Sequence, residues 1–185
     1  MGREASFELD CSEFSGSVTD FIKLLHSIGW SYYDGDYHAE YLPVGDSDSF
    51  DWQMEEITES SLYGVFDRKL QREETVGLVM YYRDTEYGIT LLASDTSEII
   101  LIPNINRRTL TEGDEDSVTD VNWYAERILQ KLLWYDCGLV GFRFEESGGQ
   151  SDDSDDCEDF EEDEEDDDTG DPDDCEELEE NETND

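Results

Sequence analysis

In the stretch "ASFELDC" the apolar Phe7, Leu9 and Cys11 alternate with the polar Ser6, Glu8 and Asp10. A period of two predicts a strand with one buried face. The period then lengthens: Val18, Phe21, Ile22, Leu25 and Ile28 recur on one helix face, opened near Ser17 and stopped by Gly29. "WSYYDGDYHAEYLP" predicts two short strands about an Asp34-Gly35 turn, a residue pair that tolerates the positive φ of a tight hairpin. "FDWQME" alternates Phe50, Trp52 and Met54 and predicts a further strand. From about Glu59 the residues Leu62, Val65, Phe66 and Leu70 return to helical spacing.

Three β-branched and aromatic runs follow, "TVGLVMYYR", "YGITLLAS" and "EIILIPNI", joined by "DTE" and "DTS". Connections this short cannot carry a parallel crossover, so the runs predict an antiparallel meander. Beyond the polar "TEGDEDS" comes a longer helical stripe of Val118, Val121, Ala125, Ile128, Leu129 and Leu132. Asp120 stands at its positive end, Arg127 and Lys131 toward the other, and Gly138 after it. "LVGFRFE" closes the pattern as a strand alternating Val140, Phe142 and Phe144. The predicted order is β-α-β-β-β-α-β-β-β-α-β, an α+β domain with about three helices on a mainly antiparallel sheet. "SVTD" occurs at Ser17–Asp20 and at Ser117–Asp120. A Ser cap with an acid three residues on explains both without a duplication.

The pattern ends near residue 148. After residue 150 only Cys157, Phe160, Cys175 and Leu178 are apolar, which predicts one globular domain over residues 1–148 and a disordered acidic tail over 149–185. Of the 53 acids, 23 fall in residues 151–185 with none of the 11 bases. Residues 1–150 therefore keep 30 acids against 11 bases, a formal −19 of the total −42. Acidity is thus a property of the domain as well as the tail. It argues against direct binding of nucleic acid or of an anionic membrane, both of which need clustered Lys and Arg. It favours a basic protein partner, since complementary fields speed encounter and reject wrong partners. An acidic surface also serves solubility. Salt adaptation fits poorly with nine Ile, ten Tyr and four Cys.

"MGREASFELD" lacks a signal-peptide pattern, and "EIILIP" is far shorter than a membrane span, so a cytoplasmic location is expected. Cys11, Cys137, Cys157 and Cys175 form no C-x-x-C, which points to reduced thiols and away from a zinc site. His26 and His38, the two histidines, belong to no nucleophile motif, and no phosphate loop or H-E-x-x-H is present. In the tail, Glu165, Asp167, Thr169, Gly170 and Glu176 fall on five positions of a calcium-loop frame. Glu at its first position and Pro172 within it spoil the match. No metal, cofactor or catalytic residue is expected.

The remaining candidate is "DGDYHAEYLPVGDSDSFDWQ". Tyr33, Asp34, Asp36, Tyr37, Asp46, Asp48, Asp51 and Trp52 interleave acids with aromatics, a mixture suited to gripping a basic protein. Alternatively, the aromatics fill the core and the Asp residues form turns. A small acidic α+β domain without catalytic motifs is similar in character to bacterial immunity proteins that neutralise toxins. That likeness is of class and composition and transfers no motif. The leading expectation is an inhibitor that occludes a basic partner, such as a nuclease toxin. A nucleic-acid mimic acting on a DNA-binding protein is the second. A hydrolase with paired carboxylates, the enzymatic alternative, needs a deep pocket with acids of raised pKa.

Overall fold

The computed structural model describes residues 3–33, 37–46, 49–111 and 117–148, all within one compact unit spanning Met1–Ser151. The elements are β1 (Glu4–Asp10), α1 (Val18–Ser27), β2 (Trp30–Ser31), β3 (His38–Tyr41), β4 (Gln53–Glu56) and α2 (Glu59–Gln71). Then come β5 (Val76–Tyr82), β6 (Gly88–Asp95), β7 (Glu98–Ile105), α3 (Val121–Arg127), α4 (Leu129–Trp134) and β8 (Gly141–Ser147). The fold is α+β on one antiparallel sheet of eight strands, ordered β4-β3-β5-β6-β7-β1-β8, with β2 also on β5. The acidic tail lies outside the described residues.

The strand periods decide which face is covered. Val76, Leu78 and Met80 of β5, Ile89 and Leu91 of β6, Leu101 of β7, and Phe7 and Leu9 of β1 join one core with the buried stripes of the helices. The intervening Leu92, Ile100 and Ile102 point to the other face and are only half-buried. Helix α1 starts at a capping box. Asp20 N–H donates to Ser17 Oγ at 3.2 Å, and Ser17 N–H donates to the Asp20 carboxylate at 3.1 Å. Phe21, Ile22 and Leu25 are its fully buried residues, and Gly29 turns the chain at a φ of 113° that side-chain-bearing residues rarely adopt. Helix α2 is capped by Thr58 and buries Leu62, Val65, Phe66 and, on the same face, Lys69.

Two local expectations are corrected. Among the described residues, β2 and β3 do not pair with each other, and the Asp34-Gly35 turn lies outside those residues. β2 and β3 lie in succession along the same edge of β5, with Trp30 opposite Tyr82 and Tyr41 opposite Leu78. The indole of Trp30 explains the choice: it is fully buried between Tyr82 at 5.2 Å and Trp123 at 6.3 Å, a burial that pairing with β3 could not supply.

The predicted long helix is also two helices. Ile128, at φ −113° and ψ −74°, separates α3 from α4. The helix starts later than the stripe implied, at Val121. Asp120 is the cap, accepting from Trp123 N–H at 3.1 Å, while Val118 is exposed in the preceding loop. Ser117 accepts from Thr111 N–H and caps nothing, so the two "SVTD" stretches have different structures.

Candidate functional site

The described residues of the predicted site flank the strands at one end of the sheet: Tyr33 and Tyr37 between β2 and β3, and Asp46, Asp51 and Trp52 in the loop between β3 and β4. β4 pairs with β3 from His38↔Glu56 to Tyr41↔Gln53, and its outer side ends the strand order. All four β4 residues are exposed. The loop is anchored from beneath: Leu42 N–H donates to Gly77 O at 3.0 Å. The ammonium of Lys69 donates to Pro43 O at 2.8 Å, to Asp46 O at 2.6 Å and to Glu74 Oε2 at 3.5 Å. Glu74 Oε2 also accepts from Gly45 N–H at 2.8 Å. Leu42 and Trp52 cross so close to Gly77 that a Cβ there would lie 2.5 Å from Leu42 Cδ1 and 3.0 Å from the Trp52 ring.

The eight predicted residues divide sharply. Tyr33 is half-buried and structural: its hydroxyl donates to Ile57 O at 2.8 Å and its ring packs on Tyr32. Tyr37 is 73% exposed. The Asp46 carboxylate is committed to its own loop, accepting the amides of Ser49 at 3.1 Å, of Phe50 at 3.2 Å and of Asp51. Partial burial acts to raise its pKa. The three amide donors and the Lys69 charge outweigh that, leaving it below the usual carboxylate value. Asp51 is exposed and Trp52 half-buried. Asp34, Asp36 and Asp48 lie outside the described residues.

Two side chains that the alternation placed inward face solvent instead. Phe50 is 47% exposed, on a backbone at φ 52°, and Met54 is 59% exposed. On β4, Glu56 shares the face of Met54, and Glu55 lies on the other, opposite the buried Ala39. Glu55 accepts the Tyr41 hydroxyl, and burial first, then that bond, pushes the Tyr41 phenol up to about 12. A signal for this surface existed in the sequence. Residues 24–67 hold ten acids and no Lys or Arg.

Elsewhere the described residues bring no catalytic set together. His26 packs against Tyr32 at 4.7 Å. No group of three His, Cys, Asp or Glu among the described residues could hold a metal ion, and the calcium-loop frame at 165–176 lies outside them. Cys11 and Cys137 are free, buried and adjacent. Burial pushes the Cys11 thiol up to about 12 and raises Cys137, so neither is a ready nucleophile. A groove of about 1080 Å³ runs over the half-buried sheet face past Ser6, Glu8, Ile100, Ile102 and Glu145. Two of its acids, Glu8 and Glu145, are paired with Arg143, at 2.8 Å and 3.3 Å. No described helix is long and apolar enough to cross a membrane. Comparison with protein-family models, with curated proteins and with solved structures returns no match.

Proposed function

We propose that the protein binds a basic protein partner through the β3–β4 end of its sheet and occludes that partner's cationic surface, as an inhibitor of a nuclease toxin would. The observation that carries this reading is the exposure of Tyr37, Phe50 and Met54 in a stretch that also exposes Asp51 and Glu56. Phe50 and Asp51 donate their amides to the Asp46 carboxylate, and Lys69 holds the Asp46 carbonyl from below. Apolar anchors supply desolvated contact that slows dissociation, while carboxylates pair with Lys and Arg at the rim and steer encounter. Backbone already held in the free protein, as at Pro43 and Asp46, loses little entropy on binding. The carboxylates would stand where a nucleic acid places its phosphates, so the partner's substrate and this protein compete for one surface.

The test is competition. A basic protein captured by the full chain at low salt is assayed for nucleic-acid binding with and without the wild-type chain. Loss of that binding, reversed by the paired substitution Phe50→Ala with Met54→Ala, supports the reading. Simultaneous binding of nucleic acid and this chain to the partner sinks it.

A further inference from the structure

We propose that the outer edge of β8 pairs with the same edge of a second copy of the chain, antiparallel and centred on Phe144. The two ends of the sheet differ in kind. β4 is four residues long, a short edge of the sort that discourages pairing. β8 is seven residues long, matches β1 from Gly141 opposite Asp10 to Ser147 opposite Glu4 without a register shift, and contains no proline. No described strand meets its outer side. It also presents Phe142, 59% exposed, and follows directly on the exposed Val140.

The sequence of β8 is self-complementary, and this selects a second copy as the occupant. A two-fold axis perpendicular to the sheet keeps each face on its own side, so residues of like parity come opposite one another. Centring on Arg143 sets that arginine against itself, and centring on Glu145 opposes two glutamates. Centring on Phe142 pairs Gly141 to Arg143 and leaves residues 144–147 off the end of the facing strand. Centring on Phe144 pairs all seven residues. It places Arg143 opposite Glu145 of the partner subunit, twice by symmetry, and Phe144 opposite Phe144 of the partner subunit. Arg143 already holds Glu8 at 2.8 Å and reaches Glu145 of its own strand at 3.3 Å, so its guanidinium lies on the face where the new pair would form.

A formal charge of −42 on each copy opposes association at low ionic strength. Salt shortens the range of that repulsion to about 10 Å at 0.1 M and less above, while hydrogen bonds and apolar contact at the edge persist. The pairing should therefore strengthen with salt, the reverse of the binding proposed at the β3–β4 end, and it uses none of the same residues.

Sedimentation equilibrium of the full chain at about 0.5 M salt, where screening reaches a few ångströms, reads the outcome directly. Twice the monomer mass of 21.3 kDa is expected. R143E and E145R should each weaken self-association roughly tenfold or more, since each opposes like charges at both symmetric positions. Mixed in equal amounts they should form a heterodimer, and the double variant R143E/E145R should regain the homodimer. Melting curves establish that each variant folds; E145R alters a half-exposed side chain and remains informative if R143E does not. A wild-type monomer at all salt concentrations overturns the proposal. So do single reversals that dimerise as well as the wild type, or variants that fail to recombine when mixed.

Discussion

Lys69 Nζ, wholly buried beneath the sheet end, donates to the main-chain carbonyl of Asp46 at 2.6 Å, while the Asp46 carboxylate gathers the amides of Ser49, Phe50 and Asp51. The two residues form one continuous support from the interior of α2 to the exposed ring of Phe50. A buried ammonium must be surrounded by acceptors, and here the acceptors are the loop itself: Pro43 O, Asp46 O and the Glu74 carboxylate.

Replacing Lys69 with Met should therefore do more than remove a charge. It strips the donor from two carbonyls and leaves Glu74 with Arg72 at 2.7 Å and the Gly45 amide as its remaining support. Breaking a buried charge pair from one side costs on the order of 3–5 kcal/mol. Urea unfolding should show that loss, and amide exchange should accelerate across residues 43–51. Unchanged stability would mean that the loop is held by Leu42 and Trp52 alone.

Acid should act on the same support. The Gly45 amide holds the Glu74 carboxyl below its ordinary 4.5 against partial burial, with Arg72 and Lys69 adding to the effect. Asp46 sits below its ordinary 3.8. As pH falls the unfolded chain takes up these protons first. The stabilisation is fully present above about 4.5 and disappears as pH falls through the lower folded values. Protonation of the other acids relieves self-repulsion and works in the opposite direction. The comparison that isolates the site is wild type against Glu74→Gln: their stabilities should converge as pH drops from 7 toward 3. A constant difference would show that Glu74 contributes through shape alone.

The break at Ile128 sets a third expectation. Leu129 and Leu132 of α4 are buried, while Leu133 and Trp134 are exposed. Leu129→Ala should cost on the order of 2–5 kcal/mol, and Leu133→Ala should stay near wild type. The reverse order would place the α4 stripe a residue out of register.

The strand and helix order was legible because each element buries one face, and burial imposes its period on the sequence. The failures have one cause: a period does not say what an element packs against. Trp30 left the hairpin because an aromatic cluster of Tyr82 and Trp123 lay within reach. Nothing local to residues 118–132 marks the turn at Ile128, whose dihedrals come from burying Trp123 and Tyr124 on one side and Leu129 and Leu132 on the other. Phe50 and Met54 alternate as a buried row would, yet β4 is an edge with its row turned outward. Lys69 was visible in principle. It continues the Leu62, Val65, Phe66 face of α2, where a charged residue signals a buried partner.

The interface itself gives the last expectation. Phe50 is 47% and Met54 59% exposed in the free protein, so Phe50→Ala and Met54→Ala should change stability little, within about 0.5 kcal/mol for surface positions. Against a bound basic partner each should raise the dissociation rate, because the apolar contact they supply forms only in the complex. Deleting residues 151–185 removes 23 carboxylates and should lower mainly the association rate and its salt dependence, with the dissociation rate nearly kept. Stopped-flow mixing and dilution-chase experiments at two salt concentrations separate these effects. If the tail deletion abolishes binding while Phe50→Ala and Met54→Ala leave dissociation unchanged, recognition resides in the acidic tail and the β3–β4 surface is only its support.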